Sequence, residues 1–247
     1  MSKWAEGTVV ARRHWAGRMF SLQVEAELAP FQAGQFAKLA LAVDGEIVGR
    51  PYSFVNAPTE RPHEFYYVVL PEHPLTPRLS RLEAGDTIYL SPKASGYLTL
   101  AEVPPGEHLW LLASGTALGP FLSILKTEAP WQRFERVVLV HAVRSAEELG
   151  YRDQIQALLA RYARQFVFVP VVSREHTDFA LGGRIPKAIA NGGLEARAGV
   201  RLAAHSSQLM VCGNPEMVAD TVHALQQRGL KQHRRRDPGQ ISVENYW

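Results

Sequence analysis

Four consecutive residues, Arg50-Pro51-Tyr52-Ser53, put a guanidinium, an aromatic ring and a hydroxyl side by side after Gly49. On a β-strand side chains alternate faces, so Arg50 and Tyr52 share one face and Pro51 and Ser53 the other. A flat anionic cofactor suits that arrangement: the guanidinium meets a phosphate while the ring lies on an aromatic system. Taken alone, the four residues fit an ordinary strand better, with a solvated arginine and a core tyrosine. The choice turns on what else the chain carries.

Three further groups of residues bear on it. Ser114-Gly115-Thr116-Ala117-Leu118-Gly119-Pro120 follows an apolar run and precedes a helical one. A strand, a glycine turn and a helix start together bind phosphate through backbone N–H groups, but Gly115-x-x-x-Gly119 is not the dinucleotide fingerprint and any tight turn could use it. Arg144, Arg174 and Arg184 each follow or precede a predicted element. Beyond the carboxyl ends of parallel strands, arginines grip the 2′-phosphate that separates NADP from NAD. Any one of them is an ordinary solvated arginine; three at one sheet edge, with Ser173 beside Arg174, strain that reading. Cys212-Gly213-Asn214-Pro215 closes a strand and opens a helix. Its cysteine is a small buried residue or a group near a cofactor, and a nucleophilic role would need a histidine, for which only His141 and His205 offer themselves.

The elements that must position these residues fall into two halves. Glu6–Trp15, Arg18–Ala26, Gly34–Ala42, Arg50–Val55, Glu64–Leu70 and Asp86–Leu90 read as short strands punctuated by Pro, Gly, Asn and Asp, the spacing of an antiparallel barrel or sandwich. A short helix fits Thr76–Leu82, with Thr76 as N-cap and Pro77 in the first turn. After Pro104-Pro105-Gly106 strands alternate with helices: His108–Ala113, Phe121–Leu125, Arg136–Ala142, Tyr151–Arg164, Phe166–Ser173, Ile185–Ala190, Gln208–Cys212 and a helix to about Arg228. That alternation predicts a parallel, doubly wound sheet. We place an antiparallel β-barrel domain over residues 1–100 and an α/β domain over residues 101–247.

The chain has 247 residues, 46% hydrophobic and 21% charged, with net charge +3, which suits two medium domains and demands no particular partner. One cysteine excludes an internal disulfide and any metal site built from several cysteines. No apolar run approaches the roughly 20 residues that span a bilayer, and the N-terminus lacks a signal-peptide core. A reducing cytoplasm is the expected home. The charge run Lys231–Arg236 reads first as a solvated loop. The terminal Tyr246-Trp247 would pack on the barrel or stack on a flat cofactor.

In this order, Arg50–Ser53, Phe65–Val68, Leu75–Leu79, Gly115–Pro120, Val171–Glu175, Gly183–Pro186, Cys212–Pro215 and the closing Tyr246-Trp247 resemble the ferredoxin–NADP reductase family, and within it the short bacterial flavodoxin/ferredoxin–NADP reductases. The resemblance spans the whole chain. It implies FAD in the first domain and NADP in the second, with hydride transfer between NADPH and flavin N5 and single-electron exchange with ferredoxin or flavodoxin. Arg50 would pair with the FAD pyrophosphate, Tyr52 would stack on the isoalloxazine, and Ser53 would bond near N5. Pro51, Tyr66, Pro74, Leu75, Thr76 and Thr116 would complete the flavin site, Leu75 and Thr76 through backbone donors. Val143, Arg144, Ser173, Arg174 and Arg184 would hold the NADP adenosine and 2′-phosphate. Met210, Val211 and Cys212 would stand near the nicotinamide, Ser53, Cys212 and Glu244 would orient the reacting rings, and Tyr246 and Trp247 would cover the flavin. No metal is implied. An acidic carrier would suit the basic loop Arg234–Arg236, and the protein would act as a monomer without nucleic acid or membrane. His73-Pro74 departs from the glycine common in the pyrophosphate loop, and Trp247 extends past the plant-type terminal tyrosine. A reductase module feeding an oxygenase would need an extra domain or more cysteines, and a basic nucleic-acid-binding barrel would leave the second half without a role.

Overall fold

The structure, a computed structural model, describes residues 3–245. They group into two compact units: residues up to Thr99 with Gly119–Thr127, and Leu100–Leu118 with the chain from Glu128 onward.

The first unit is an antiparallel sheet of β1 (Ala5–Ala16), β2 (Met19–Ala26), β3 (Phe36–Val43), β4 (Glu46–Ser53), β5 (His63–Val68) and β6 (Thr87–Leu90), in the order β4-β3-β6-β1-β2-β5. The two outer strands meet where Phe54 bridges Phe65 and Val55 N–H donates to Glu64 O at 2.8 Å. This closes the sheet into the expected barrel and leaves no open edge between β4 and β5. Leu22, Val24, Leu39, Phe65, Ile88 and Leu90 fill the interior, and Phe31 stacks on Phe54 at 3.9 Å. β4 begins four residues earlier than its sequence suggests. Asp44 and Gly45, both at positive φ (51° and 86°), make a tight hairpin from β3, and the exposed Glu46–Gly49 stretch has no apolar alternation to announce it. Gly49 is required there, because a Cβ would run into the indole of Trp4. The unit also holds α1 (Thr76–Leu79) and, from Gly119, the body of α2 (Leu118–Leu125), where Ser123 Oγ donates to Asn56 O at 2.8 Å. α1 stops at Leu79 rather than Leu82, and its N-cap is Leu75; Thr76 is already helical.

The second unit is a wholly parallel sheet: β7 (His108–Ser114), β8 (Arg136–Val143), β9 (Phe166–Val172), β10 (Leu181–Gly182), β11 (Ser207–Gly213) and β12 (Ile241–Asn245), in the order β10-β9-β8-β7-β11-β12. Its helices are α3 (Ala129–Arg133), α4 (Arg152–Arg161), α5 (Ile185–Ala190), α6 (Gly193–Ala198) and α7 (Pro215–Gln226). Leu109–Ala113, Val137–Val140 and Leu209–Cys212 have no exposure, as strands covered on both faces require. The chain builds outward from β7 to β10, then returns to add β11 on the other side of β7. The order therefore reverses between β7 and β11, the place where doubly wound sheets open a ligand crevice at their carboxyl ends. β12 is the main surprise: the segment before the terminus is a sixth parallel strand, with Cys212 opposite Glu244.

Among the described residues no helix is long and apolar enough to cross a membrane, and no group of three or more His, Cys, Asp or Glu is placed to hold a metal.

Candidate functional site

In the barrel unit, β4 carries Arg50 and Tyr52 opposite Leu39 and Ala37 of β3. Arg50 and Pro51 are exposed, and Tyr52 is half-buried with its ring edge-on to Tyr67 at 6.0 Å. Burial raises the Tyr52 phenol's pKa, so it stays protonated, with the Arg50 charge acting the other way. Ser53 Oγ is buried and has no hydrogen-bond partner among the described residues. A buried hydroxyl without a partner costs about 1–3 kcal/mol, so its presence at the end of this strand points to a partner outside the chain. Tyr66 is buried, and its hydroxyl donates to Met19 Sδ at 3.1 Å, which commits that end of the ring to the core.

The loop before α1 supplies a second group. The N–H groups of Leu75 and Thr76 converge on one acceptor, His73 Nδ1, each at 3.2 Å. An Nδ1 that accepts must be unprotonated, so His73 is neutral with its hydrogen on Nε2. Burial and then the Arg50 charge both lower its pKa, which agrees. Thr76 Oγ1 bridges back to Leu70, accepting from its N–H at 3.0 Å and donating to its carbonyl at 3.2 Å, so it pins the loop rather than capping the helix. Arg78 Nη1 donates to Pro74 O at 2.6 Å. Converging backbone donors, a nearby guanidinium, a half-buried ring and an orphaned hydroxyl together fit a flat, phosphate-bearing ligand. His73, which the sequence marks only as a missing glycine, is the acceptor that organises this loop, a role that sequence reasoning did not define.

In the sheet unit the three arginines gather at the carboxyl edge. Arg174 N–H donates to Arg144 O at 2.9 Å, which joins the ends of β8 and β9. Ser173 donates to Val143 O through its N–H at 3.1 Å and its Oγ at 3.2 Å. β10 pairs with Val171 and Val172, and Arg184 follows it as the N-cap residue of α5. All three arginines are exposed, and among the described residues none of their guanidiniums has a hydrogen bond or ion pair. Three uncommitted cations at one edge are a site for a multiply charged anion. Val143 is buried, and Met210 and Val211 lie fully buried within β11.

The strand-order reversal is packed tightly. A Cβ on Gly213 would overlap Ser114 Oγ and Met217 Cε, so a larger residue there would have to displace both side chains where the ends of β7 and β11 meet. Gly115, at φ 55°, opens the one-turn helix Gly115–Ala117 that holds the buried Thr116. His141 serves that turn and not the cysteine. Its Nε2 lies 2.9 Å from Gly115 O, and since a carbonyl only accepts, Nε2 carries the hydrogen. Burial lowers the His141 pKa to about 4, which keeps the ring neutral. His205 is exposed while Cys212 is buried. Burial, and next the neighbouring Glu244, push the Cys212 thiol well above its usual range, so it is no thiolate nucleophile. Burial also raises Glu244 to about 7, so it exchanges a proton near neutrality.

The basic run is less free than its sequence implies. Arg235 forks onto Glu102 at 2.9 and 2.7 Å, and Lys231 pairs with Asp237. Tyr246 and Trp247 lie outside the described residues.

With this geometry in view, comparison with known proteins is direct. An oxidoreductase NAD-binding domain model matches residues 111–223. The flavodoxin/ferredoxin–NADP reductase of Escherichia coli K12 is 45% identical over 248 residues, covering all of both chains. The ferredoxin–NADP reductase of Pseudomonas aeruginosa is 33% identical over 254 residues, covering 99% of this chain and 98% of its own. The crystal structure of a ferredoxin–NADP+ reductase from Neisseria gonorrhoeae with bound FAD and NADP superposes with a TM-score of 0.95 at 34% identity, over the full length of both. Full-length identity at this level, on the same pairing of a closed barrel with a parallel sheet, settles the kinship: the chain belongs to the flavodoxin/ferredoxin–NADP reductase family.

Proposed function

We propose that the barrel unit holds FAD and the sheet unit binds NADPH, so that the protein is a flavodoxin/ferredoxin–NADP reductase. The observation that carries the assignment is the buried, unpartnered Ser53 Oγ on the strand that bears Arg50 and Tyr52. Held there, FAD would supply the hydride-accepting and single-electron chemistry that links NADPH to ferredoxin or flavodoxin.

The chain's own groups bind, orient and hold protons. Arg50 offers its charge to the pyrophosphate, and the Leu75 and Thr76 N–H groups add two donors once His73 gives them up. Tyr52 would offer its ring face to the flavin, its hydroxyl protonated, and Ser53 Oγ would be free to donate to the cofactor's reacting edge. Tyr66, Pro51 and Pro74 would line the same cofactor. Arg174 and Arg184 take the 2′-phosphate and Arg144 and Ser173 the adjoining phosphate and ribose, with Val143 beneath them. The guanidinium fork suits phosphate better than a lysine would, because it makes paired hydrogen bonds. Cys212, flanked by Met210 and Val211, stays a neutral thiol against the nicotinamide. Glu244, raised by burial to about 7, exchanges a proton beside it near neutral pH.

The protein acts as a monomer, since one chain carries every group named, and its single buried cysteine suits a reducing cytoplasm. Purified protein is expected to run near 27.5 kDa, to be yellow, and to have its flavin absorbance bleached by NADPH. A colourless protein that FAD fails to reconstitute would remove the assignment.

A further inference from the structure

The loop that leads into α1 is held by two kinds of contact. Thr76 Oγ1 accepts from Leu70 N–H at 3.0 Å and donates to Leu70 O at 3.2 Å, and His73 N–H donates to Leu70 O at 3.0 Å. None of these bonds depends on a titrating group, so they keep the backbone in place at any working pH. The second kind does depend on one. His73 Nδ1 takes the N–H groups of both Leu75 and Thr76, each at 3.2 Å, and an imidazole nitrogen accepts only while it carries no proton.

This acceptor is easily replaced. Both bonds lie at the long end of the ordinary range, and the ring is half-buried. A phosphate oxygen offers the same two N–H groups an ionised acceptor, whose hydrogen bonds are roughly twice as strong. Burial, and then the Arg50 charge from β4, keep the proton off the ring. Of the other charged groups about it, Arg78 of α1 donates to Pro74 O at 2.6 Å and Glu72 is exposed. An anion that takes up the Arg50 charge removes part of the repulsion and lets the ring accept a proton. An independent sign of a ligand stands on β4 with Arg50: the buried Ser53 Oγ has no hydrogen-bond partner among the described residues.

We propose that His73 is a displaceable stand-in for the FAD pyrophosphate, which occupies the Leu75 and Thr76 donors while unprotonated and, once protonated, releases them and adds its own charge to the phosphate. The inference rests on the FAD reading of the barrel unit and makes the hold on the cofactor proton-linked. The sign follows from the linkage. The loaded protein favours the charged ring, so FAD is held more tightly as pH falls and more loosely as pH rises.

The test reads the dissociation constant for FAD from the fluorescence that flavin regains on leaving the loaded protein, at pH 6 and pH 8.5. The native chain is expected to hold FAD about tenfold more tightly at pH 6, an ordinary size for two coupled ligands. His73→Gly removes both the stand-in and the charge. It should bind about tenfold more tightly than the native chain at pH 8.5 and lose the pH dependence. His73→Asn places an amide oxygen the same number of bonds from the backbone as Nδ1, an acceptor that no proton removes. It should bind at both pH values as weakly as the native chain does at pH 8.5. Glu244, which also exchanges a proton near neutrality, is present in all three proteins. A native affinity equal at the two pH values overturns the proposal. So does a pH dependence that survives in His73→Gly, or weaker binding by that variant at pH 8.5. If the native chain holds no FAD at either pH, the underlying FAD reading falls first.

Discussion

The two units prepare their sites in opposite ways. In the barrel the groups are buried or already engaged: Ser53 Oγ is enclosed, the Leu75 and Thr76 N–H groups point at His73, and Thr76 Oγ1 is tied to Leu70. In the sheet unit Arg144, Arg174 and Arg184 stand exposed with no partner among the described residues. An enclosed site whose donors must be released exchanges its ligand rarely, as a resident cofactor requires. An open edge of solvated cations suits a ligand that binds and leaves on each turnover, as a substrate does. On the proposed assignment, burial more than charge would separate the cofactor site from the substrate site.

Acid is expected to break both units through one matched device. Each holds a fully buried histidine whose pKa is lowered to about 4: His63 among the barrel aromatics, by burial first, and His141 in the sheet. A group whose folded pKa lies below its unfolded value of 6.5 contributes full stability above 6.5 and loses it as pH falls towards 4. Each should therefore cost on the order of 2 kcal/mol between pH 7 and pH 5. Denaturant melts across that range measure it. His63→Phe should flatten the dependence of the barrel and His141→Gln that of the sheet. Melts unchanged between pH 7 and pH 5 would show that neither ring is held neutral by the fold.

Ser53→Ala gives a smaller and sharper effect. The hydroxyl makes no hydrogen bond among the described residues, so removing it should leave stability without FAD unchanged or raise it by about 1 kcal/mol. In the loaded protein the same change should slow flavin reduction about tenfold, the weight of one hydrogen bond to the reacting edge, without altering KM for NADPH. A loss of stability in place of a loss of rate would make Ser53 a structural residue.

How much of this the sequence discloses differs between the units for a physical reason. The barrel's candidate residues cluster in two short stretches, and Arg50–Ser53 on one strand already brings charge, ring and hydroxyl together. The sheet's residues come from the ends of several strands, and only the strand order sets Cys212 beside Ala113 on one side and Glu244 on the other. β12 escapes notice because five residues with two apolar side chains look like any tail until β11 offers an edge to pair with. α3 and α6 are five and six residues long, too short for periodicity to reveal. The first half of β4 is exposed and carries no alternation. Thr76 has the composition of an N-cap, yet its hydroxyl turns back to Leu70, and the Arg78 and Leu79 N–H groups that a cap would serve donate to Leu75 O.

The division of labour itself is tested most directly by rapid-mixing reduction of the FAD-loaded protein with NADPH and with NADH, in the native chain and in Arg174→Ala with Arg184→Ala. Charge-assisted contacts to one phosphate should be worth roughly a hundredfold together. The account predicts that half-saturation for NADPH rises by about that factor, that reduction by NADH is almost unaffected, and that the flavin spectrum is unaltered because its site lies on the barrel. Equal losses with both coenzymes, or release of the flavin from the double variant, would contradict it.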